Sequence, residues 1–140
     1  MAAKKPSGVV TRGTTNPNRL RRVDRFIAAL DVVRNKNAVV VDLGFGASPI
    51  TAVELLQRLS KVNRQVQVVG VEIDRERVER AREFSAENLH FVHGGFETPL
   101  PIEVGQSHAT VIRAFNVLRQ YDESEVLGAW QIMQGRLTEH

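Results

Sequence analysis

Two carboxylates and a pair of glycines frame the first chemistry open to this chain. The segment Val39 to Pro49, VVVDLGFGASP, is β-branched up to Asp42 and then turns through Gly44 and Gly46; farther on, a second β-branched run, VQVVGVEID, carries Glu72 near its end. Glycine lets the main chain turn tightly and approach a ligand closely, but a plain turn or close helix packing needs it as well. Asp42 therefore carries more information. A carboxylate about 4 Å from a diphosphate opposes it by about 1 kcal/mol in water, or about 4 kcal/mol at an effective dielectric of 20, per unit charge. The third glycine of the dinucleotide fingerprint is replaced by Pro49, and the loop has no P-loop lysine. The same field favours a ligand with positive charge. Glu72, at a strand end, can accept hydrogen bonds from both hydroxyls of a ribose, though alone it reads equally as a surface acid. Together the two acids specify a ligand with a ribose at one end and a cation at the other.

The elements that must position these residues follow from periodicity. AVVVDL, VQVVGVEI, LHFVHG and ATVIRAF read as four strands. Between the first two, ITAVELLQRL reads as a helix with Ile50, Val53 and Leu56 on its inward face, opened by Ser48 as cap and Pro49 in the first turn. RERVERAREF is a charged helix begun by Asp74. A last helix from Asp122 or Ser124 is expected to turn Val126, Trp130, Met133 and Leu137 inward. Strands alternating with helices imply a doubly wound parallel α/β sheet, with ligands beyond the carboxyl ends of its strands. Ahead of it, Asn18 caps a helix within 18–36 whose stripe is Leu20, Val23, Ile27 and Leu30, leaving Arg21, Arg22 and Arg25 outside. Residues 1–17 read as a basic, flexible leader, and 37–140 as the α/β domain.

Composition limits the rest. The 140 residues form one globular domain, and the absence of cysteine excludes disulfides, thiol nucleophiles and Cys-based zinc sites. MAAKK lacks the apolar centre of a signal peptide, and no apolar run approaches the roughly 18 residues of a membrane span; a cytoplasmic protein without membrane association is expected. Charge is uneven: residues 1–36 carry nine Lys or Arg against Asp24 and Asp31, and the remainder carries ten against fourteen acids. Such a basic leader is either a solvated terminus or an electrostatic footprint for nucleic acid. His90 and His93 fall on or beside a strand where at most one faces the site, His108 is isolated and His140 is terminal. No metal site and no general base stand out.

At these residues the chain resembles the class I S-adenosylmethionine-dependent methyltransferases. Asp42, Leu43, Gly44, Phe45 and Gly46 look like the first motif of that family and Glu72 like its second-strand acid. FVHGGFETPLP is similar to the segment beside the adenine, and VIRAFNVLRQY to the fourth-strand segment facing the methyl group. The likeness covers about 37 to 137. It implies a Rossmann-like fold, S-adenosyl-L-methionine as cofactor, and cofactor contacts at Asp42, Gly44, Phe45, Gly46, Glu72, Ile73, Gly95, Phe96 and Arg113. Asn116 and Arg119 stand as substrate contacts, with a helix cap and a solvated charge as the plainer readings. The methyl acceptor is not specified. Gly95 replaces the aspartate often found near the adenine amino group, which leaves adenine to the main chain near Phe96. The Asn-Pro-Pro-Tyr type of motif is missing from AFNVLRQY. The family domain has seven strands, so this chain reads as its N-terminal part, ending after the helix that leads to the fifth. A four-stranded remnant exposes an apolar edge open to a second copy of the chain. Two rival readings stand beside this one: an NAD-dependent oxidoreductase fragment, and a noncatalytic module that binds RNA through Arg12 to Arg25.

Overall fold

The computed structural model describes Asn18, residues 20–114 and Leu137. Four parallel strands, β1 (Val39–Leu43), β2 (Gln67–Glu72), β3 (Leu89–His93) and β4 (Val111–Arg113), form one sheet in the order β3-β2-β1-β4. Three helices accompany them: α1 (Arg21–Ala28), α2 (Ile50–Leu59) and α3 (Arg75–Ala81). The expected Rossmann-like α/β architecture is therefore present. Every residue of β1 is buried, as a central parallel strand with both faces covered requires.

The handedness of the crossovers explains where the layers lie. The chain steps from β1 to β2 to β3 in one direction, so right-handed connections put α2 and α3 on the same face. There Ala52, Leu55 and Leu59 of α2 and Val78 and Ala81 of α3 pack with Val40, Val68 and Phe91, joined by Ile27 of α1. From β3 the chain crosses back to β4 over the opposite face. That face is covered by Phe96, Leu100 and Val104 of the connecting segment, packed on Val39, Val41, Val69 and Val71. Among the described residues, the second layer is thus a loop with one 3₁₀ turn (Ile102–Val104) rather than a helix.

Four local expectations need correction. Helix α1 starts at Arg21 with Leu20 as its cap residue and no side-chain cap, so Asn18 does not cap it. The inward face of α2 is Ala52, Leu55 and Leu59, with Val53 and Leu56 only partly buried. The helix has apolar residues on two overlapping arcs, and packing on β2 selects one. Helix α2 starts at Ile50 with Pro49 as its cap residue; Ser48 still contributes, its Oγ accepting from the Ile50 amide at 3.3 Å. Leu137, expected on the inward face of a helix, forms a parallel bridge with Ala109 at the outer side of the β4 segment. The rest of that predicted helix (Val126, Trp130 and Met133) and the leader 1–17 lie outside the described residues. Asp74 does cap α3, its Oδ1 accepting from the Glu76 amide at 3.0 Å.

At the β3 edge, Ala86 exchanges both backbone hydrogen bonds with Leu89, and Arg82 Nε donates to the Phe91 carbonyl at 3.4 Å. A charged side chain over an edge carbonyl discourages pairing with a foreign strand. No helix among the described residues is long and apolar enough to cross a membrane.

Candidate functional site

The strand order reverses between β1 and β4, since β1 leads to β2 on one side while β4 returns on the other. A crevice outside the carboxyl ends of these strands is where this architecture accepts ligands. The turn after β1 lies there. Gly44 and Gly46 have φ of 71° and 92°, the left-handed region that a side chain makes costly. The Gly44 amide donates to the Val71 carbonyl at 2.7 Å and so extends the ladder by one residue. Phe45, between the glycines, turns into the core: its ring meets Phe91 edge-on at 5.2 Å. Gly70 makes room for this pair, since a Cβ there would stand 2.8 Å from Phe91 and 2.9 Å from Phe45. The Phe45 side chain is thus committed to the core, and its main chain lies in the turn between the two glycines.

Asp42 is buried and already partnered. Its Oδ2 accepts from Thr51 Oγ1 at 2.7 Å and lies 3.0 Å from Arg113 Nη2, and its Oδ1 accepts from Arg113 Nε at 3.2 Å. Arg113 stands beside Asp42 because β1 and β4 pair these residues in register. The guanidinium also donates to the Thr51 carbonyl at 3.1 Å and, through Nη1, to Asp24 of α1. Asp24 in turn accepts from Arg58 Nη1 at 2.6 Å, and Arg58 Nη2 donates to Glu54 at 2.9 Å and Asn18 at 2.8 Å. Acids and bases thus alternate from Asp42 through Arg113, Asp24 and Arg58 to Glu54. Burial pushes the Asp24 carboxyl upward, against the pull of Arg113 and Arg58. For Arg113 the burial that opposes its charge is outweighed by Asp42 and Asp24, and its pKa rises.

This network revises the electrostatic reading of the loop. Asp42 does not present an open negative charge; Arg113 neutralises it within the fold. Three carboxylates against two guanidinia leave the network one charge negative when all are ionised. Arg113, expected at the cofactor, is turned toward Asp24, Asp42 and Thr51. Asp24, Thr51 and Arg58 were not singled out from sequence. For Asp24 a signal existed, because it sits on the buried side of α1 with Leu20 and Ile27.

Glu72 is placed differently. It ends β2 one residue beyond the Leu43–Val71 pair, so it stands across from Gly44. Asp42 and Glu72 occupy alternate positions of neighbouring strands and share the sheet face that carries α2 and α3. The Glu72 side chain is buried; Oε2 accepts from the Asp74 amide at 2.8 Å and Oε1 meets Arg77 Nη1 at 3.3 Å. Two hydrogen bonds leave acceptor capacity on a carboxylate that can take about four.

The segment after β3 supplies the third side. The Thr98 amide donates to the Gly95 carbonyl at 2.9 Å, and the Gly95 amide donates to Glu97 Oε1 at 2.9 Å. Phe96 is a core side chain packed with Leu43 and Val71. Thr98 is fully buried at φ 38°, and its Oγ1 has no partner among the described residues. A buried hydroxyl without a partner is costly unless a ligand group or water satisfies it. Ile73 gives its carbonyl to His93 Nε2 at 2.9 Å, and His90 Nε2 meets Gln67 Oε1 at 2.8 Å, so both imidazoles have partners within the fold. Among the described residues no three ligands gather as a metal site requires. A groove at the β3 edge, lined by Arg82, Ser85, Glu87, His90 and Glu103, contains none of the expected site residues. Asn116 and Arg119 lie outside the described residues.

No protein-family model and no curated protein matches the chain. Solved structures do match its fold. One is an O-methyltransferase of neocarzinostatin biosynthesis in complex with S-adenosyl-L-homocysteine and 1,4-dihydroxy-2-naphthoic acid (TM-score 0.54, 20% identity, 80% of this chain and 32% of that one). Another is the StiE O-methyltransferase, residues 942–1257 (TM-score 0.56, 19% identity, 87% of this chain and 40% of that one). A third is a Plasmodium falciparum protein assigned as a protein-L-isoaspartate O-methyltransferase, in complex with S-adenosyl-L-homocysteine (TM-score 0.52, 15% identity, 96% of this chain and 62% of that one). This chain spans less than two thirds of each of them. Over that part it shares the Rossmann-like fold of these structures.

Proposed function

We propose that this chain binds S-adenosyl-L-methionine and belongs to a methyltransferase, of which it forms the cofactor-binding part. The observation that carries the reading is the left-handed glycine turn at the reversal of strand order, bordered by two carboxylates on one sheet face. The fold likeness supports it, as do the S-adenosyl-L-homocysteine complexes of two of the similar structures. In this reading Glu72 accepts from the ribose hydroxyls and the main chain of Gly44–Gly46 lies against the amino-acid end of the cofactor. Gly95, Phe96 and Thr98 border the adenine, and Ile73 flanks the ribose. Asp42 acts as a fixed support of the turn, held by Thr51 and Arg113.

The bound cofactor would supply both the methyl electrophile and its leaving group. The protein's task is then to align an acceptor and exclude water, an effect of about 7 to 11 kcal/mol when positioning is good. The acceptor site is not assigned; Asn116 and Arg119 remain our candidates for it. Calorimetric titration with S-adenosyl-L-homocysteine and, separately, with NAD tests the reading. Saturable heat with the first and none with the second is expected; heat with NAD alone would replace this proposal by the oxidoreductase one.

A further inference from the structure

The outward face of α1 is built against its own stability. With 3.6 residues per turn, Arg21, Arg25, Arg22 and Phe26 fall in that order along an arc of about 140°, and all four are exposed. Phe26 leaves 68% of its surface in solvent. The other side is committed to the fold through Leu20, Asp24 and Ile27. Arg21 and Arg25 are like charges four residues apart, a destabilising pair. Arg21 and Arg22 stand in the first turn, where the helix dipole disfavours cations, and no side chain caps that end. Among the described residues, the arginines that form ion pairs are Arg58, Arg77, Arg82 and Arg113, so none of these three is neutralised. The acid nearest in sequence, Asp24, is buried beneath them on Arg58 and Arg113. Each departure is small. All of them lie on one face and have the same sign, the pattern expected where a surface serves a partner rather than the fold.

We infer that this face binds single-stranded nucleic acid, with Arg21, Arg22 and Arg25 on phosphates and the Phe26 ring stacked on a base. Charge complementarity requires a polyanion, and the flat ring among the guanidinia selects the kind. Base–aromatic stacking tolerates any sequence and works beside cationic contacts to the backbone. An acidic peptide would use the arginines but has no need of the ring. An anionic membrane calls for a broad apolar face, and the apolar stripe of α1 is turned into the core. The inference stands independently of the cofactor reading.

The test is fluorescence anisotropy of the full chain with a labelled oligouridylate of about 20 nucleotides, starting near 50 mM salt. Binding is expected, with log affinity falling against log salt at a slope of about −2 for three phosphate contacts, and the slope shrinking by about 0.7 for each arginine changed to glutamine. Phe26→Ala should weaken binding about 5- to 100-fold, whereas Phe26→Trp should retain it. Because Phe26 is exposed, circular dichroism of these variants should match the wild type. Absence of binding, or binding indifferent to Phe26 and to all three arginines, would overturn the inference. So would binding to phosphatidylserine vesicles, or to polyglutamate, without binding to the oligonucleotide.

Discussion

The ends of β1 and β2 each carry one buried carboxylate, and the surroundings of the two differ. Asp42 is enclosed by a bidentate guanidinium and a hydroxyl, partners that tie β1 to β4, α2 and, through Asp24, to α1. Glu72 is held by one amide of its own loop and by Arg77 at 3.3 Å, partners only two and five residues away. Removing a partner from the first network disconnects elements; in the second it disturbs one turn. Two acids that look equivalent in a motif therefore differ in what they hold: Asp42 ties several elements together and Glu72 is held within one turn. In the proposed reading they divide the work, with Glu72 as the acid that meets the ligand.

The largest effect expected from this contrast is on stability. Arg113→Leu would leave Asp42 and Asp24 buried without their shared cation, and breaking such a pair costs about 3 to 5 kcal/mol. Urea unfolding should show the midpoint collapse. A loss below about 1 kcal/mol would mean that the network does not join α1 to the sheet.

Next comes ligand affinity. Glu72→Gln keeps an acceptor for the Asp74 amide, so stability should stay within about 1 kcal/mol of wild type. Affinity for S-adenosyl-L-homocysteine should fall about 10- to 150-fold, the equivalent of about 1.5 to 3 kcal/mol for charge-assisted hydrogen bonds. Calorimetry and unfolding of the same preparation decide it. A variant that loses stability but keeps affinity would reverse the division of labour drawn above.

Much of this was legible in sequence, and the parts that were not share a cause. β1 and β2 announce themselves because strands buried on both faces must be continuously apolar. Asp74 as a cap and the glycines of the turn are local signals with local reasons. The pairing of Asp42 with Arg113 is not local, since it depends on the register of two strands 71 residues apart in the chain. The same holds for Leu137, whose helical spacing gave way to a bridge with Ala109. Asp24 was readable as a carboxylate on a core stripe, yet its two guanidinium partners come from α2 and β4.

A smaller effect concerns the third side of the site. Thr98→Val removes a buried hydroxyl that has no partner within the described fold and keeps its shape. The protein without ligand should be as stable as wild type or more stable by about 1 kcal/mol, since an unmet polar group is lost. Affinity for S-adenosyl-L-homocysteine should drop about 2- to 10-fold, one neutral hydrogen bond. Lower stability with unchanged affinity would show that the hydroxyl serves the fold.

The finest distinction is the protonation of Asp24. Its carboxyl titrates above the ordinary 3.8 because burial outweighs Arg113 and Arg58, with Asp42 adding to the rise. A raised folded-state pKa means that the folded chain binds this proton more tightly than the unfolded chain does. The resulting contribution to stability is complete below 3.8 and is lost as pH rises through the folded value. Asp24→Asn removes that contribution while leaving one carbonyl for a guanidinium. The advantage of wild type over the variant in urea should therefore be greatest toward acid pH and shrink toward neutrality. If it widens toward neutrality instead, the guanidinia hold Asp24 as a carboxylate, and α1 is fastened to the sheet by the same kind of charge pairing that fixes Asp42.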